Sequence, residues 1–396
     1  MIRHLLKLVW HRKRSTGLLM LEIAVSFLVV FTIALFALRA GSNWRRPLGF
    51  EWQDVWAVEV DPNTTSDAEW GPAEAARMRS LLAEARGLPH VEAAAGMFII
   101  PYELSWANGD VRHGQRRAEI YIDEATDGLD ATMRMPLVAG RFFGPQDEGS
   151  NPPVAVLNRR LARELFDGAD AVGQVVNWAE HDYRVVGVVE DLRQAGELSS
   201  PANHFIVRMA SGDAKSRPPR QLLLRVAPGT PATFEQEVLT RLAPVVPGWS
   251  LGVQPLSHLR HTRLQLSLVP LLAGGVVAGF LLLMVGLGLL GVLWQNVTRR
   301  TRELGLRRAA GASRAAVHRQ VLLELVLITS LAVAPALLLV LQLPLLSSLG
   351  FTLEPGVLVA AVVTALLVIY ALAMLCGFYP SRMATRLPPA EALRWE

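Results

Sequence analysis

Four long apolar runs constrain this chain of 396 residues more than any other feature. A membrane-crossing helix needs about 20 consecutive apolar residues, and four segments reach that length: residues 17–38, 266–294, 321–343 and 356–376. The first run exceeds the core of about 7–15 residues that is usual for a signal peptide, so we interpret it as a span, with a cleaved signal as the alternative. The pattern predicts an α-helical membrane protein with four transmembrane helices, TM1 to TM4.

Basic residues predict the orientation, because they concentrate in cytoplasmic segments. Residues 1–16 carry five, the segment 295–320 carries seven, and the tail 377–396 carries three, whereas the short loop 344–355 carries none. We therefore expect both termini and the middle loop in the cytoplasm of an inner-membrane protein. Residues 2–14 alternate apolar and basic side chains at helical spacing, which favours an interfacial helix within 1–16 on the inner leaflet. The alternative is a basic start that only orients TM1. The chain's net charge of +4 matters only through this placement and does not indicate a nucleic-acid partner.

The segment 39–265 between TM1 and TM2 is long enough to bury a core of its own. Its hydrophobic periodicity alternates between strand and helix, which predicts a large α/β extracytoplasmic domain. Strand–helix–strand patterns occur near both ends, at 55–100 and 221–256, and the middle is richer in strands and turns. The sequence thus predicts two lobes, one built from about 45–100 and 206–260, and one inserted between them at about 101–205.

The chain lacks the motifs of the common catalytic sites. It has no G-x-x-x-x-G-K-[ST] phosphate loop, no H-E-x-x-H and no G-x-S-x-G. Its acidic clusters at 123–127 and 147–148 are interpreted as solvated turns, and the single cysteine, Cys376, excludes an intrachain disulfide and a cysteine-based metal cluster. We expect a non-catalytic protein with no metal and no cofactor of its own.

Four stretches resemble the MacB/FtsX family of ABC-transporter permeases. They are LVAGRFF at 137–143, VAVLNRRLARELFDGADAVG at 154–173, VVGVVED at 185–191, and ELGLRRAAGASRAAVHRQVLLE at 303–324. Together with the four spans around one large insertion, the resemblance covers nearly the whole chain. It implies a periplasmic domain with a porter-like lobe and an inserted lobe, a second permease copy or a paralogue, and a separate ATPase that binds ATP and magnesium at the cytoplasmic face. A periplasmic adaptor is a further expected partner.

The cytoplasmic loop 295–320 is the expected docking element for that ATPase. Gly305 and Gly311 interrupt helical propensity, which predicts a short helix that ends near Gly311 and a new helix capped by Ser313. The resemblance implies that the short element is a coupling helix in a cleft of the ATPase. The expected coupling residues are Arg302, Glu303, Leu304, Gly305, Leu306, Arg307, Arg308, Ala309, Gly311 and Ala312. The alternative is a positive-inside loop whose arginines contact only anionic lipid.

Two features inside the spans are further candidate sites. Gly275 and Gly279 form a G-x-x-x-G pair in TM2, which is typical of a close helix–helix seam in a dimer, with plain flexibility as the alternative. Glu22 and Glu324 are intramembrane carboxylates near cytoplasmic helix ends. We expect them to snorkel or to pair with nearby arginines.

The residues and the resemblance together predict a permease subunit that couples ATP hydrolysis by a partner to movement of the periplasmic domain. This mechanotransmission would serve the export of a drug, a peptide or another periplasmic or membrane-held substrate. Alternatives are a lipoprotein-releasing permease and a permease that regulates cell division or the cell wall. A membrane sensor is disfavoured because the cytoplasmic segments are too short for an output domain.

Overall fold

The computed structural model describes residues 13–63, 71–209, 219–299, 313–343 and 354–386. The chain divides into two compact units, each described by itself below. The helix unit comprises Met1–Gly41 and Leu268–Glu396, and the sheet unit comprises Ser42–Ser267. Most of the predicted interfacial helix at 1–16 and all of the coupling residues between 302 and 312 lie outside the described residues.

Eight α-helices and eleven strands are present among the described residues. The helices are α1 Lys13–Trp44, α2 Pro72–Arg86, α3 Leu129–Met133, α4 Arg159–Phe166, α5 Phe234–Leu242, α6 Leu256–Arg299, α7 Arg314–Leu341 and α8 Pro355–Arg386. The strands are β1 Val55–Asp61, β2 Val91–Met97, β3 Asn108–His113, β4 Arg116–Ala125, β5 Leu137–Gly140, β6 Val154–Asn158, β7 Val175–Trp178, β8 His181–Val189, β9 His204–Arg208, β10 Gln221–Val226 and β11 Ser250–Pro255.

Four helices, α1, α6, α7 and α8, are long and apolar enough to cross a membrane. Each extends beyond its apolar run: α1 continues to Trp44, and α6 begins at Leu256 and is 44 residues long. Their shared core contains Ile23, Phe27 and Val285, together with alanines of α8 such as Ala365. Small residues let helices approach closely in lipid, where van der Waals packing replaces the hydrophobic effect as the main attraction.

Strands β11, β1, β10 and β2 pair in that order, each antiparallel to its neighbour. Helices α2 and α5 cover one face of these four strands, where alternate residues such as Trp56 and Val58 are buried with Leu81 and Val238. The intervening residues Val55 and Ala57 point to a second core on the opposite face. The period of two along β1 therefore buries both faces of this part of the sheet.

Strands β4, β3, β7, β8, β6 and β9 form a closed ring, because β9 pairs with β4 as well as with β6. The ring is filled by a separate apolar cluster that includes Val111, Leu157, Val176 and Phe205. Helix α4 lies against it, and the Asn158 side chain caps this helix by accepting a hydrogen bond from Leu161 N at 3.2 Å. The four-strand part comes from both ends of the insertion and the ring from its middle.

Two glycines of the resembling stretches permit a close backbone crossing between β5 and β8. A Cβ on Gly187 would lie 2.1 Å from the carbonyl oxygen of Arg141, and one on Gly140, whose φ is +69°, would lie 2.3 Å from that of Val186. The Arg141 side chain then forms a bidentate pair with the buried Asp147, with both N···O distances at 2.6 Å. These family-like residues thus have a structural role in the ring.

Most of the strands and helices predicted from periodicity occur at the expected positions. Periodicity predicts helices at 72–85, 159–166 and 233–242 and strands at 55–60 and 154–157. The observed α2, α4, α5, β1 and β6 agree with these bounds to within one residue at each end. The pattern missed β3, β5, β7 and β9, which are short or polar, and it missed α3.

The solvated-turn interpretation of the acidic clusters was wrong, because Asp123 and Asp147 are buried and Asp127 forms a bidentate pair with Arg208.

Candidate functional site: a polar joint at two helix ends

A buried polar cluster lies in the sheet unit, where the last residues of α1 and the first turns of α6 contact one loop. We call this cluster the joint. It consists of the loop 193–200, which connects β8 to β9, with Asn43, Arg46, Trp52, Tyr102, Arg260 and Arg263 around it.

Arg193 is the centre of the joint and is 2% exposed. Its guanidinium donates to the carbonyl oxygens of Ser199 at 3.0 Å and Arg46 at 2.7 Å, and to that of Glu197. Its own backbone N–H donates to Leu48 O at 3.0 Å. Burial lowers the pKa of Arg193, and the neighbouring charge of Arg46 lowers it further. Arg193 therefore ties the loop to the chain that follows α1.

Asn43 binds the last turn of α1 to the same loop. Its amide nitrogen donates to Leu198 O at 3.1 Å and to Ser200 Oγ at 3.3 Å, and the residue is only 1% exposed. Burial removes the amide from water, and without protein partners the lost hydrogen bonds would cost about 1–3 kcal/mol. The helix end is therefore held by side-chain contacts in addition to chain connectivity.

Arg260 makes the equivalent connection from α6. Its Nε donates to Glu197 Oε1, and its guanidinium carbon lies 4.5 Å from the centre of the Trp52 ring. One turn further along α6, Arg263 Nε donates to Ala195 O at 3.3 Å. Carboxylate pairing and stacking on an aromatic face are the two contacts for which a planar guanidinium is best suited.

Tyr102 closes the joint from the connection between β2 and β3. It adopts φ of +72°, and its backbone N–H donates to Gln194 O at 2.8 Å. Its ring lies against Gly196, where an added Cβ would approach ring carbon Cε1 to 3.2 Å. Burial raises the pKa of the Tyr102 hydroxyl, and the negative charge of Glu197 raises it further.

A second polar chain continues from the joint into the strand ring. Gln194 Nε2 donates to Asp123 Oδ1 at 2.7 Å, and the other carboxylate oxygen of Asp123 lies 2.8 Å from Nδ1 of His204. Asn158 Oδ1 accepts from the His204 backbone N–H at 3.0 Å. Because Asp123, Asn158 and His204 are buried and hydrogen-bonded, the contact of Gln194 with Asp123 fixes the loop of the joint to the ring.

The sequence-predicted site residues that the structure describes belong to the helix unit, whereas the joint belongs to the sheet unit. In α6, an added Cβ on Gly275 or Gly279 would meet no atom within 4 Å, so neither glycine packs against the described residues of this chain. Glu22 is half-buried in the helix unit, and its Oε2 would lie 3.4 Å from a Cβ on Gly288. Glu324 is half-buried in α7. The coupling residues 302–312 lie outside the described residues.

The sequence reasoning did not identify the joint. One signal was available, because Arg260 and Arg263 lie just before the TM2 run and residues 192–197 directly follow the VVGVVED stretch. Contacts between residues that lie far apart in the chain, such as Arg46 and Arg193, leave no pattern in a single sequence. Among the described residues, no group of three or more His, Cys, Asp or Glu side chains is arranged to hold a metal ion.

Two family models match the chain in succession. The MacB-like periplasmic core domain matches residues 16–241, and the FtsX-like permease C-terminal model matches residues 275–389. The first model spans α1 and nearly all of the sheet unit, and the second spans the remaining membrane helices with the loop between α6 and α7.

Curated relatives match over most of this chain. The macrolide export ATP-binding/permease protein MacB 2 of Aeromonas hydrophila is 27% identical over 98% of this chain and 59% of its own length. The pyoverdine export ATP-binding/permease protein PvdT of Pseudomonas savastanoi is 27% identical over 72% of this chain and 44% of its own. The chain therefore spans about half the length of these relatives. Among solved structures, the periplasmic region of MacB from Actinobacillus actinomycetemcomitans aligns with 56% of this chain and 97% of its own, at 12% identity and a TM-score of 0.39.

Proposed function

The chain belongs to the MacB/FtsX-type family of ABC-transporter permeases, and from this membership we propose that it is an export permease driven by an ATPase on a separate chain. The cargo is a drug, a peptide or another periplasmic or membrane-held molecule, by analogy with relatives named for macrolide and pyoverdine export. In this proposal, the partner chain binds ATP and magnesium.

The joint is the observation that carries this proposal. A mechanotransmission permease needs its membrane helices to move the extracytoplasmic domain, and a soft linker would absorb that movement. Here, Arg193 binds the chain directly after α1 to one loop, and Arg260 binds the start of α6 to the same loop, both through charge-assisted bonds. Hydrogen bonds to charged groups each contribute about 1.5–3 kcal/mol, so displacement of either helix end pulls on the loop before these contacts break.

We place the ATPase at the loop between α6 and α7. The coupling residues are Arg302, Glu303, Leu304, Gly305, Leu306, Arg307, Arg308, Ala309, Gly311 and Ala312. This loop has the highest count of basic residues among the segments predicted to be cytoplasmic, which supports an inner-membrane orientation with both termini inside. Apolar Leu304 and Leu306 would fill the ATPase cleft, with Glu303 and Arg307 at its rim.

We place a second permease copy, or a paralogue, against the face of α6 that carries Gly275 and Gly279. The open space beside both glycines supports this placement, because a neighbouring helix could approach the backbone there without displacing a side chain of this chain. Paired permeases would give the two sheet units a common movement, to which a periplasmic adaptor could respond.

A spin-label distance measurement tests the proposed function. Cys376 is replaced by alanine and Val175, an exposed residue of β7, by cysteine for labelling. In membranes that contain the permease with its co-purified ATPase, we expect ATP to change the distance between the labels of the two copies. In the variant Arg260→Ala the ATPase should still bind and hydrolyse ATP while the distance stays constant.

Two controls limit the interpretation of this experiment. Arg241→Ala, an exposed arginine on α5, should leave the ATP response unchanged. Permease without ATPase should show no response to ATP. A distance change that needs no ATPase, or that persists in the Arg260 variant, would rule out transmission through the joint.

A further inference from the structure

Glu22 is an acidic residue inside a membrane helix, and it lies where α1 contacts α6 in the helix unit. Its carboxylate oxygen Oε2 would lie 3.4 Å from a Cβ on Gly288, and Leu19 Cδ1 would lie 3.2 Å from the same Cβ. Further along the two helices, Ile33 Cγ1 approaches Gly274 in the same way, at 3.4 Å. Because Gly288 has no side chain, space remains beside the Glu22 carboxylate.

The two carboxylates inside the spans differ in their partners. Glu324 already has an interaction within the chain, whereas the Glu22 side chain forms no hydrogen bond or ion pair with the residues that the structure describes. Ser26, one helical turn from Glu22 on the same face of α1, has a buried hydroxyl without a hydrogen-bond partner among these residues. An intramembrane carboxylate is costly unless it is paired. The described residues therefore leave the charge of Glu22 uncompensated.

Glu22 lies near one surface of the membrane. It follows the start of the apolar run at residue 17 by five residues, which is about 7.5 Å along a helix. Side chains on a helix tilt toward its N-terminus, and long polar side chains near helix ends reach the interface in this way. The Glu22 carboxylate is therefore at a depth that a lipid headgroup can approach, in the leaflet that the basic residues predict to be cytoplasmic.

The surface around Glu22 is apolar and exposed. Leu18, Leu21 and Val25 are exposed on α1, and Leu287 is exposed on α6 directly before Gly288. In a bilayer, such side chains contact acyl chains, which are as apolar as leucine. A lipid can therefore lie against α1 while its headgroup reaches the carboxylate, whereas a soluble amine would find no water-filled route here.

We propose that Glu22 binds the ammonium group of phosphatidylethanolamine, a phospholipid with a primary-amine headgroup. A primary ammonium supplies the missing positive charge together with three N–H donors, and hydrogen bonds between charged groups are the strong ones. The quaternary headgroup of phosphatidylcholine has the same charge but no N–H donor. The proposal does not depend on ATPase docking or on export, so each can fail without the other.

Native mass spectrometry of the full chain tests the proposal. The protein is released from detergent micelles that contain equal amounts of dioleoyl-phosphatidylethanolamine, its N-methyl and N,N-dimethyl derivatives, and dioleoyl-phosphatidylcholine. We expect one retained lipid per chain, with phosphatidylethanolamine favoured about fivefold over phosphatidylcholine because only the former donates hydrogen bonds. The two methylated lipids should fall between them in the order of their N–H donors. Equal retention of all four lipids would overturn the proposal.

Variants locate the site at Glu22. Glu22→Gln should retain the four lipids about equally, because the charge is gone. Glu324→Gln is the matched control, since it removes the other intramembrane carboxylate and should keep the preference. The proposal is overturned if the preference survives in Glu22→Gln or is lost equally in both variants.

A second pair of variants changes the space beside the carboxylate and leaves Glu22 itself in place. Gly288→Ala puts a Cβ beside Oε2 and should also reduce the preference for phosphatidylethanolamine. Gly291→Ala should not, because its Cβ meets no atom within 4 Å. Equal lipid retention by these two variants would place the lipid away from the contact between Glu22 and Gly288 and contradict the proposal.

Discussion

The carboxylate of Glu197 pairs with the guanidinium of Arg260, so the loop after β8 is bound directly to the first turns of α6. Both side chains are largely buried, at 10% and 23% exposure. Trp52 covers the guanidinium, and Tyr102 lies near the carboxylate. This pair is the part of the joint whose removal has the most clearly predictable consequences.

Removing one partner of this pair should destabilise the sheet unit more than removing both. Arg260→Met leaves the Glu197 carboxylate buried without its cation, and the free energy of unfolding should fall by about 3 kcal/mol. The double variant Arg260→Met with Glu197→Leu removes the buried charge as well and should recover most of that loss. Urea unfolding of the full chain in detergent, followed by tryptophan fluorescence, measures both values. Equal stability of the single and double variants would contradict a coupled pair.

Alkaline pH should weaken the fold through Tyr102. Its pKa is raised in the folded protein, so the folded state holds the phenolic proton more tightly than the unfolded chain, in which the pKa is about 10. The stabilisation from this proton is fully present below about pH 10 and is lost as the pH rises toward the raised folded-state pKa. Tyr102→Phe should therefore lessen the decline of unfolding free energy above about pH 10. Tyr121→Phe, at an exposed ring on β4, should leave the decline as it is in the unsubstituted protein.

Gly187→Ala should be severely destabilising for a purely steric reason. The new Cβ would lie 2.1 Å from the carbonyl oxygen of Arg141, and backbone cannot yield there without breaking the β5–β8 pairing. We expect a loss of at least about 3 kcal/mol. Gly252→Ala in β11 is the matched control, because its added Cβ would make an ordinary contact of 3.8 Å with Glu59. Comparable unfolding midpoints for the two variants would show that β8 relaxes more easily than its packing suggests.

The fold was largely predictable where one physical signal dominates. Apolar length identified the four membrane helices, and periodicity located β1, α2 and α5, because each buries a regular face. The ring strand β3, with the sequence NGDVRH, escaped prediction because only Val111 is buried. Its strand conformation comes from pairing with β4 and β7, which a local pattern does not encode.

The candidate site was less predictable than the fold for the same reason. The resembling stretch VVGVVED contains Gly187 and Asp191, whose roles are a close backbone crossing and a hydrogen bond to the start of α4. Motif residues therefore indicated packing, whereas the joint depends on Arg193, just beyond the motif, and on its contact with Arg46. In a single sequence, nothing distinguishes a buried arginine that donates to backbone carbonyls from an arginine on the surface.

The α6 glycines give a prediction about assembly. Gly275→Ile with Gly279→Ile should weaken association of two permease chains about tenfold, because the side chains would keep a neighbouring helix away from the backbone. Gly291→Ile is the control, since an added Cβ at Gly291 also meets open space but lies on a different face of the helix. Single-molecule photobleaching in lipid bilayers counts the copies. An unchanged fraction of dimer in the double variant would show that the two copies contact each other through another face.

The loop between α6 and α7 gives the most direct prediction about the partner. Leu304→Asp places a charge where an apolar contact with the ATPase is proposed, and Arg307→Glu reverses a charge at its rim. Either change should reduce co-purification of the ATPase about tenfold or more, because a buried unpaired charge in an interface costs several kcal/mol. Arg394→Glu, which makes the same charge change in the predicted cytoplasmic tail, should leave the complex intact. Tryptophan fluorescence should be the same in all three variants, which separates lost docking from misfolding. An ATPase that still co-purifies with both loop variants must bind elsewhere on this chain.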